Sequence, residues 1–126
     1  MSLHRVALLI YAILFGGFGA YAFFNPEALV RTLGATSVSS DGLYELRGVY
    51  GGVSIGIALL CLSAVWRAAL QRPALYMLLA YTGGYALARV AALPLDGVPS
   101  LRLIGFGVFE AATALIAIVL LRRSSR

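Results

Sequence analysis

Lysine is absent from this chain, and histidine, cysteine and tryptophan occur once each. Without a lysine, no side-chain Schiff base to retinal or another aldehyde can form. The single histidine, His4, sits at the N-terminus, so imidazole catalysis and haem ligation within an apolar core are excluded as well. Cys61 has no intrachain partner for a disulfide or a cysteine-based metal site and reads as a packing residue. Charge is also scarce: 12% of residues are charged, against about a quarter in a soluble domain. No metal-ligand set and no nucleotide motif is visible, so neither a metal nor a cofactor is expected.

What fills the chain is apolar side chain, 61% of 126 residues, and mean hydropathy reaches +0.92. Four runs, at residues 6–24, 43–66, 73–93 and 103–121, carry it. A hydrocarbon layer roughly 30 Å thick needs about 20 helical residues at about 1.5 Å each, and every run meets that length. The expected architecture is all-α: a single domain over residues 1–126 that forms a four-transmembrane-helix bundle. The connectors are too short to house a separate soluble domain.

A net charge of +5 and a pI near 9.9 suit a nucleic-acid binder as well as a membrane protein, and position separates the two. Arg5, Arg67, Arg72, Arg122, Arg123 and Arg126 occupy the N-terminus, the second connector and the C-terminus, with no acid among them. An even number of spans puts all three regions on one side. The other side holds Glu27, Arg31, Asp41, Asp96 and Arg102. That asymmetry is the positive-inside pattern, with both termini cytoplasmic, and anionic lipid accounts for the surplus charge without nucleic acid. A secretory signal is the rival reading of the first run, since Arg5 precedes it and Ala20-Tyr21-Ala22 has a small-x-small form. The run is long for a signal core, however, and its removal would leave an odd number of spans.

The first connector is the longest. Asn25-Pro26-Glu27 opens it with a cap residue, a proline for the first helical position and an acid for the first turn, and Gly34 offers a stop. A short interfacial helix is expected there, lying along the outer membrane face on Ala28, Leu29, Val30 and Leu33. Ser40 or Asp41 then caps the second span. Pro94, Asp96-Gly97 and Pro99 supply the turn chemistry of the third connector. A faint internal repeat pairs Gly48-Val49-Tyr50 with Gly107-Val108-Phe109 and Gly16-Gly17-Phe18 with Gly83-Gly84-Tyr85. It suggests two helix hairpins of the same direction, although apolar helices produce such matches by chance.

Two constellations stand out. Gly48, Gly52 and Gly56 recur every four residues and form a small-residue stripe, read first as close packing within one bundle and second as a homo-oligomer contact. The other is charged. Glu45 and Arg47 in the second run, Arg89 in the third and Glu110 in the fourth all fall roughly 3 to 11 Å inside the outer boundary at about 1.5 Å per residue. A lone charge costs roughly 2.5–3.5 kcal/mol to insert at a helix centre, so two positive and two negative groups are expected to pair. Tyr81 and Tyr85 precede Arg89 at four-residue spacing, while Tyr44, Arg47, Tyr50, Gly51 and Ser54 share one face of a regular helix, with Glu45 pointing away. Three readings stay open: interhelical glue, snorkelling of Glu45 and Arg89 to the interface, or a functional polar pocket with Glu110 as its deepest member.

Asn25-Pro26-Glu27-Ala28-Leu29, Tyr44-Glu45-Leu46-Arg47-Gly48-Val49-Tyr50-Gly51-Gly52, Ala88-Arg89, Asp96-Gly97-Val98-Pro99-Ser100 and Phe109-Glu110 together resemble a bacterial family of four-helix membrane proteins known only as a domain of unknown function. The Glu-Leu-Arg-x-x-Tyr-Gly-Gly segment is the most specific element. More distantly, the chain is similar to the small DoxX-like membrane proteins. The resemblance covers nearly the whole chain and implies the four-helix fold and a bacterial inner membrane, but it brings no activity.

The leading expectation is a protein that binds membrane lipid or a small lipophilic ligand, or acts as an accessory subunit. Its site residues are Glu45, Arg47, Tyr50, Tyr81, Tyr85, Arg89 and Glu110, gathered between the second, third and fourth helices. An oligomeric transporter or proton-coupled carrier is the alternative. A membrane enzyme acting on a lipophilic substrate comes third, because no nucleophile accompanies the buried carboxylate.

Overall fold

A computed structural model describes residues 1–123, and among these every regular element is helical. α1 spans Leu3–Phe24, α2 Pro26–Thr32, α3 Ser40–Leu46, α4 Val53–Trp66, α5 Gln71–Asp96 and α6 Leu101–Arg123. A π-helical stretch, Arg47–Gly52, joins α3 to α4 without a break, and a 3-10 turn, Ala68–Leu70, leads into α5. Four helices are long and apolar enough to cross a membrane: Leu3–Phe24, Ser40–Trp66, Ala68–Asp96 and Leu101–Arg123, with mean hydropathy between 1.2 and 2.3 over their most apolar windows. The chain thus has the make-up of a multi-pass membrane protein. Contacts divide it into two units, residues 1–71 and 72–126.

Each helix end has a local cause. The Ser2 hydroxyl accepts from the Arg5 N–H at 3.4 Å and starts α1. At α3 the cap is Ser39, whose hydroxyl accepts from the Gly42 N–H at 3.1 Å; Ser40 and Asp41, the capping candidates in the sequence, lie inside the first turn. Asn25 occupies the N-cap position of α2 without a side-chain hydrogen bond there, and Pro26 follows at the first helical position. Gly34 and Gly97 adopt φ of +87° and +79°, a backbone state that lets the chain turn off a helix and that L side chains resist. The Gly97 N–H donates to the Leu93 carbonyl at 3.0 Å and ends α5. That helix runs three residues past Leu93, where the sequence pattern stops at Pro94. Proline forfeits one backbone donor near a helix end, a smaller loss than in the middle.

In the first unit α1 packs on α4 and on the π-helical stretch. Leu8, Tyr11, Ala12, Phe15, Gly19 and Ala22 are buried at helical spacing on α1, and Ser54, Ile57, Ala58, Cys61, Ala64 and Val65 on α4. The crossing is closest at Gly19. A Cβ there would stand 2.9 Å from the Gly51 carbonyl oxygen, from the Ile55 backbone nitrogen and from Ile55 Cγ1. Gly51 reciprocates, since its Cβ would come within 3.0–3.2 Å of the Phe23 backbone and Cβ. The Gly48-Gly52-Gly56 stripe, expected to make such an approach, does not make this one. Nothing stands within 4 Å of a Cβ added to Gly48 or Gly56.

The π-helical stretch explains the difference. The Val53 N–H reaches back five residues to the Gly48 carbonyl instead of four, which admits an extra residue into the turn and rotates the downstream residues by about 100° relative to a regular helix. A face drawn at regular spacing from Tyr44 through Gly51 to Ser54 therefore breaks in the middle. Tyr44 is 80% exposed, whereas Gly51 and Ser54 are buried.

In the second unit the buried residues of α5 are Ala74, Leu75, Leu78 and Thr82, and those of α6 are Thr113, Ala114, Ala117, Leu120 and Leu121. Thr82 and Thr113 return their hydroxyl protons to the Leu78 and Phe109 carbonyls four residues back, at 2.7 and 2.8 Å, so both are satisfied within their own helices. The glycine contacts yield a direct prediction. Gly19→Ala is expected to lower unfolding stability in detergent by about 1–3 kcal/mol through overpacking, while Gly56→Ala stays within about 0.5 kcal/mol of wild type. Equal melting temperatures for the two variants would remove the close crossing.

Candidate functional site

The third and fourth spanning helices meet at a charged pair. Arg89 Nε donates to Glu110 Oε2 at 2.5 Å and Arg89 Nη2 to Glu110 Oε1 at 2.9 Å, a bidentate fork in which both carboxylate oxygens are engaged. Glu110 is the more enclosed partner, with its side chain 13% exposed against 35% for Arg89. Helical periodicity places both. Glu110 continues the stripe of Thr113, Ala114 and Ala117 towards the N-terminal end of α6, and Arg89 extends the stripe of Leu78, Thr82 and Tyr85 on α5. Two small residues open the space between the helices: a Cβ on Gly83 would lie 3.8 Å from the Ala114 Cβ, and one on Gly107 only 3.3 Å from Arg89 Cδ. Gly107 therefore gives the arginine stem its room. Gly107 stands three residues before Glu110, on the same helix face, which is the signal that sequence reasoning did not use for it.

Tyr81 and Tyr85 line up behind the pair. Their rings sit 5.0 Å apart at 62°, edge to face, and the Arg89 guanidinium carbon lies 6.0 Å from the Tyr85 ring centre. The second unit thus brings Tyr81, Tyr85, Arg89 and Glu110 into one row of contacts: ring on ring, cation on ring, carboxylate on cation. A guanidinium held by a carboxylate and an aromatic face leaves a polar group on an apolar hairpin without an uncompensated charge. The row contains no nucleophile. Among the described residues, no group of three or more His, Cys, Asp or Glu side chains is placed to hold a metal ion.

The remaining candidates lie in the first unit. Arg47 opens the π-helical stretch and donates through Nη1 to the Phe23 carbonyl oxygen, with its guanidinium carbon 5.6 Å from the Phe23 ring centre. Phe23 is in the last turn of α1, where carbonyls lack intrahelical donors and no basic residue of α1 itself is present. Arg47 supplies both the proton and the positive charge that this helix end requires. Its partner in this unit is a backbone oxygen and an aromatic face, where the sequence suggests a carboxylate. Tyr50 is half-buried in the π-helical stretch, and Glu45 is exposed on α3.

One polar atom in this unit is anomalous. Ser54 is 1% exposed and its Oγ has no hydrogen-bond partner, unlike the hydroxyls of Thr82 and Thr113. It lies two residues past the π-helical stretch, and the widened turn above it interrupts the regular arrangement of carbonyls that a helical serine uses. An unsatisfied buried hydroxyl is costly, so Ser54→Ala is expected to raise stability by roughly 1 kcal/mol in a denaturant or thermal titration in detergent. A fall in stability would mean that the hydroxyl is satisfied in the membrane.

Residues 3–121 match the family model described as a domain of unknown function, DUF4345. No curated protein and no solved structure matches the chain. With nearly its whole length aligned, including all four long apolar helices, the chain belongs to the DUF4345 family, a domain of unknown function.

Proposed function

We propose that this protein is a binding or accessory protein of a bacterial inner membrane, and that the row Tyr81, Tyr85, Arg89 and Glu110 on the α5–α6 hairpin holds the polar end of a lipid or small lipophilic molecule. The observation that carries the reading is the Arg89–Glu110 fork. It combines two charge-assisted hydrogen bonds at 2.5 and 2.9 Å with an arginine side chain that stays 35% exposed. A pair serving only as glue needs no open side, whereas a partly open one beside two tyrosine rings can also be met by the carbonyl, hydroxyl or phosphate group of a lipophile. In the first unit Arg47 secures the end of α1.

Topology supports the same reading. With Arg5, Arg67, Arg72, Arg122, Arg123 and Arg126 on the cytoplasmic side, Arg89 and Glu110 belong to the opposite half of the membrane, and a ligand would enter from the outer leaflet. α2 would then lie along that outer face, with Leu29 and Val30 inward and Glu27 and Arg31 exposed.

The test is purification in native-lipid nanodiscs followed by mass spectrometry of the retained lipophiles. Wild type is expected to retain a defined molecule close to one per chain. The double variant Arg89→Gln with Glu110→Gln, which keeps the site neutral overall, should retain at least about tenfold less, the effect of losing a charge-assisted bond worth about 1.5–3 kcal/mol. Equal retention by the double variant, or bulk lipid alone in both, would contradict the proposal.

A further inference from the structure

At the opposite end of the same hairpin, Arg72, Tyr76 and Leu79 of α5 face Ile118, Leu121 and Arg122 of α6 across an open groove of about 210 Å³. We propose that this groove is a binding site for an anionic phospholipid, with the phosphate held by Arg72, Arg122 and the Tyr76 hydroxyl and an acyl chain laid against Leu79 and Ile118. This site lies on other residues than the Arg89–Glu110 row and stands independently of it.

Three observations support the assignment. The first is an organised polar rim: Arg72 Nη2 donates to the Tyr76 hydroxyl at 3.3 Å, and the Arg72 guanidinium carbon lies 5.9 Å from the Tyr76 ring centre. A tyrosine oxygen that accepts from arginine keeps its own proton to donate to a phosphate oxygen. The second is gradation. Leu79 is seven residues along α5 from Arg72, about 10 Å deeper, so the lining passes from cationic to aliphatic in the direction in which a lipid passes from headgroup to tail. A soluble nucleotide or sugar phosphate would have no use for that wall.

The third is depth and charge. Arg72 is 17 residues from Arg89, about 26 Å along α5; with Arg89 roughly 3 to 11 Å inside the outer boundary, a hydrocarbon layer of roughly 30 Å puts the rim at the opposite membrane interface. Among the described residues no carboxylate lines the groove, and the charged residues of the hairpin at this end are the arginines Arg72, Arg122 and Arg123. Forked guanidinium donors match phosphate oxygens in geometry as well as in sign.

Native mass spectrometry of the detergent-purified full chain, titrated with phosphatidylglycerol and with phosphatidylcholine of the same acyl chains, tests the proposal. Phosphatidylglycerol should bind in preference. Arg72→Gln with Arg122→Gln should weaken it about fivefold for each arginine removed, while Arg67→Gln with Arg123→Gln, an equal loss of charge outside the groove, leaves it nearly unchanged. Tyr76→Phe, which deletes only the hydroxyl, should weaken it about fivefold and decides the matter if the arginine variant does not fold. Equal binding of the two lipids, equal loss in the two arginine pairs, no effect of Tyr76→Phe, or complete competition by millimolar inorganic phosphate would each overturn it.

Discussion

A charged side chain in hydrocarbon must meet an opposite charge or reach water, and the α5–α6 hairpin is organised around that requirement. Arg89 and Glu110 meet in a two-bond fork, and the surrounding residues make the meeting possible: Gly107 leaves space for the arginine stem, Gly83 and Ala114 bring the helices close, and Tyr85 covers the cation. The further stripes of Leu75, Leu78, Ala117 and Leu121 would pack in any apolar hairpin. With only apolar contacts, they leave register weakly defined, because one aliphatic layer resembles the next. A bidentate pair fixes it, since a slip of one turn, about 5.4 Å, would separate both partners.

The first unit solves a different problem, how to bring two helical backbones together and finish one of them. Gly19 and Gly51 make the approach, Gly51 from within the π-helical stretch Arg47–Gly52, and Arg47 at the start of that stretch reaches the Phe23 carbonyl. A regular helix through the same residues would present Tyr44 and Ser54 together, and the observed helix separates them. The segment Glu-Leu-Arg-x-x-Tyr-Gly-Gly is thus a structural instruction at least: a wide turn, two small residues and a basic cap for the neighbouring helix. The buried, unpartnered Ser54 hydroxyl beside it is the local cost of the irregularity.

Much of this was legible in the residues alone. Hydropathy located four long helices because a span is set by length and apolarity, and Pro26, Gly34 and Gly97 marked helix ends because their backbone preferences are strong. The alignment of Arg89 with Tyr85 and Tyr81 followed from regular spacing in a regular helix. The face through Tyr44, Gly51 and Ser54 was misread for the converse reason, since a π-helical turn leaves no periodic trace in an apolar stretch. The Gly48-Gly52-Gly56 stripe drew notice through its spacing, yet Gly51 makes the contact with α1. The Phe23 carbonyl as a partner for Arg47 was not readable, because backbone acceptors carry no residue signature. The Arg72–Tyr76–Arg122 groove was hidden behind the topological explanation for its arginines.

The central claim is that Arg89 and Glu110 are energetically coupled, and a double-mutant cycle measures this most directly. Unfolding free energies in detergent would be compared for wild type, Arg89→Gln, Glu110→Gln and the double variant. The account predicts that the double variant is less destabilised than the sum of the singles, with a coupling of about 1–3 kcal/mol. Additivity within about 0.3 kcal/mol would contradict it.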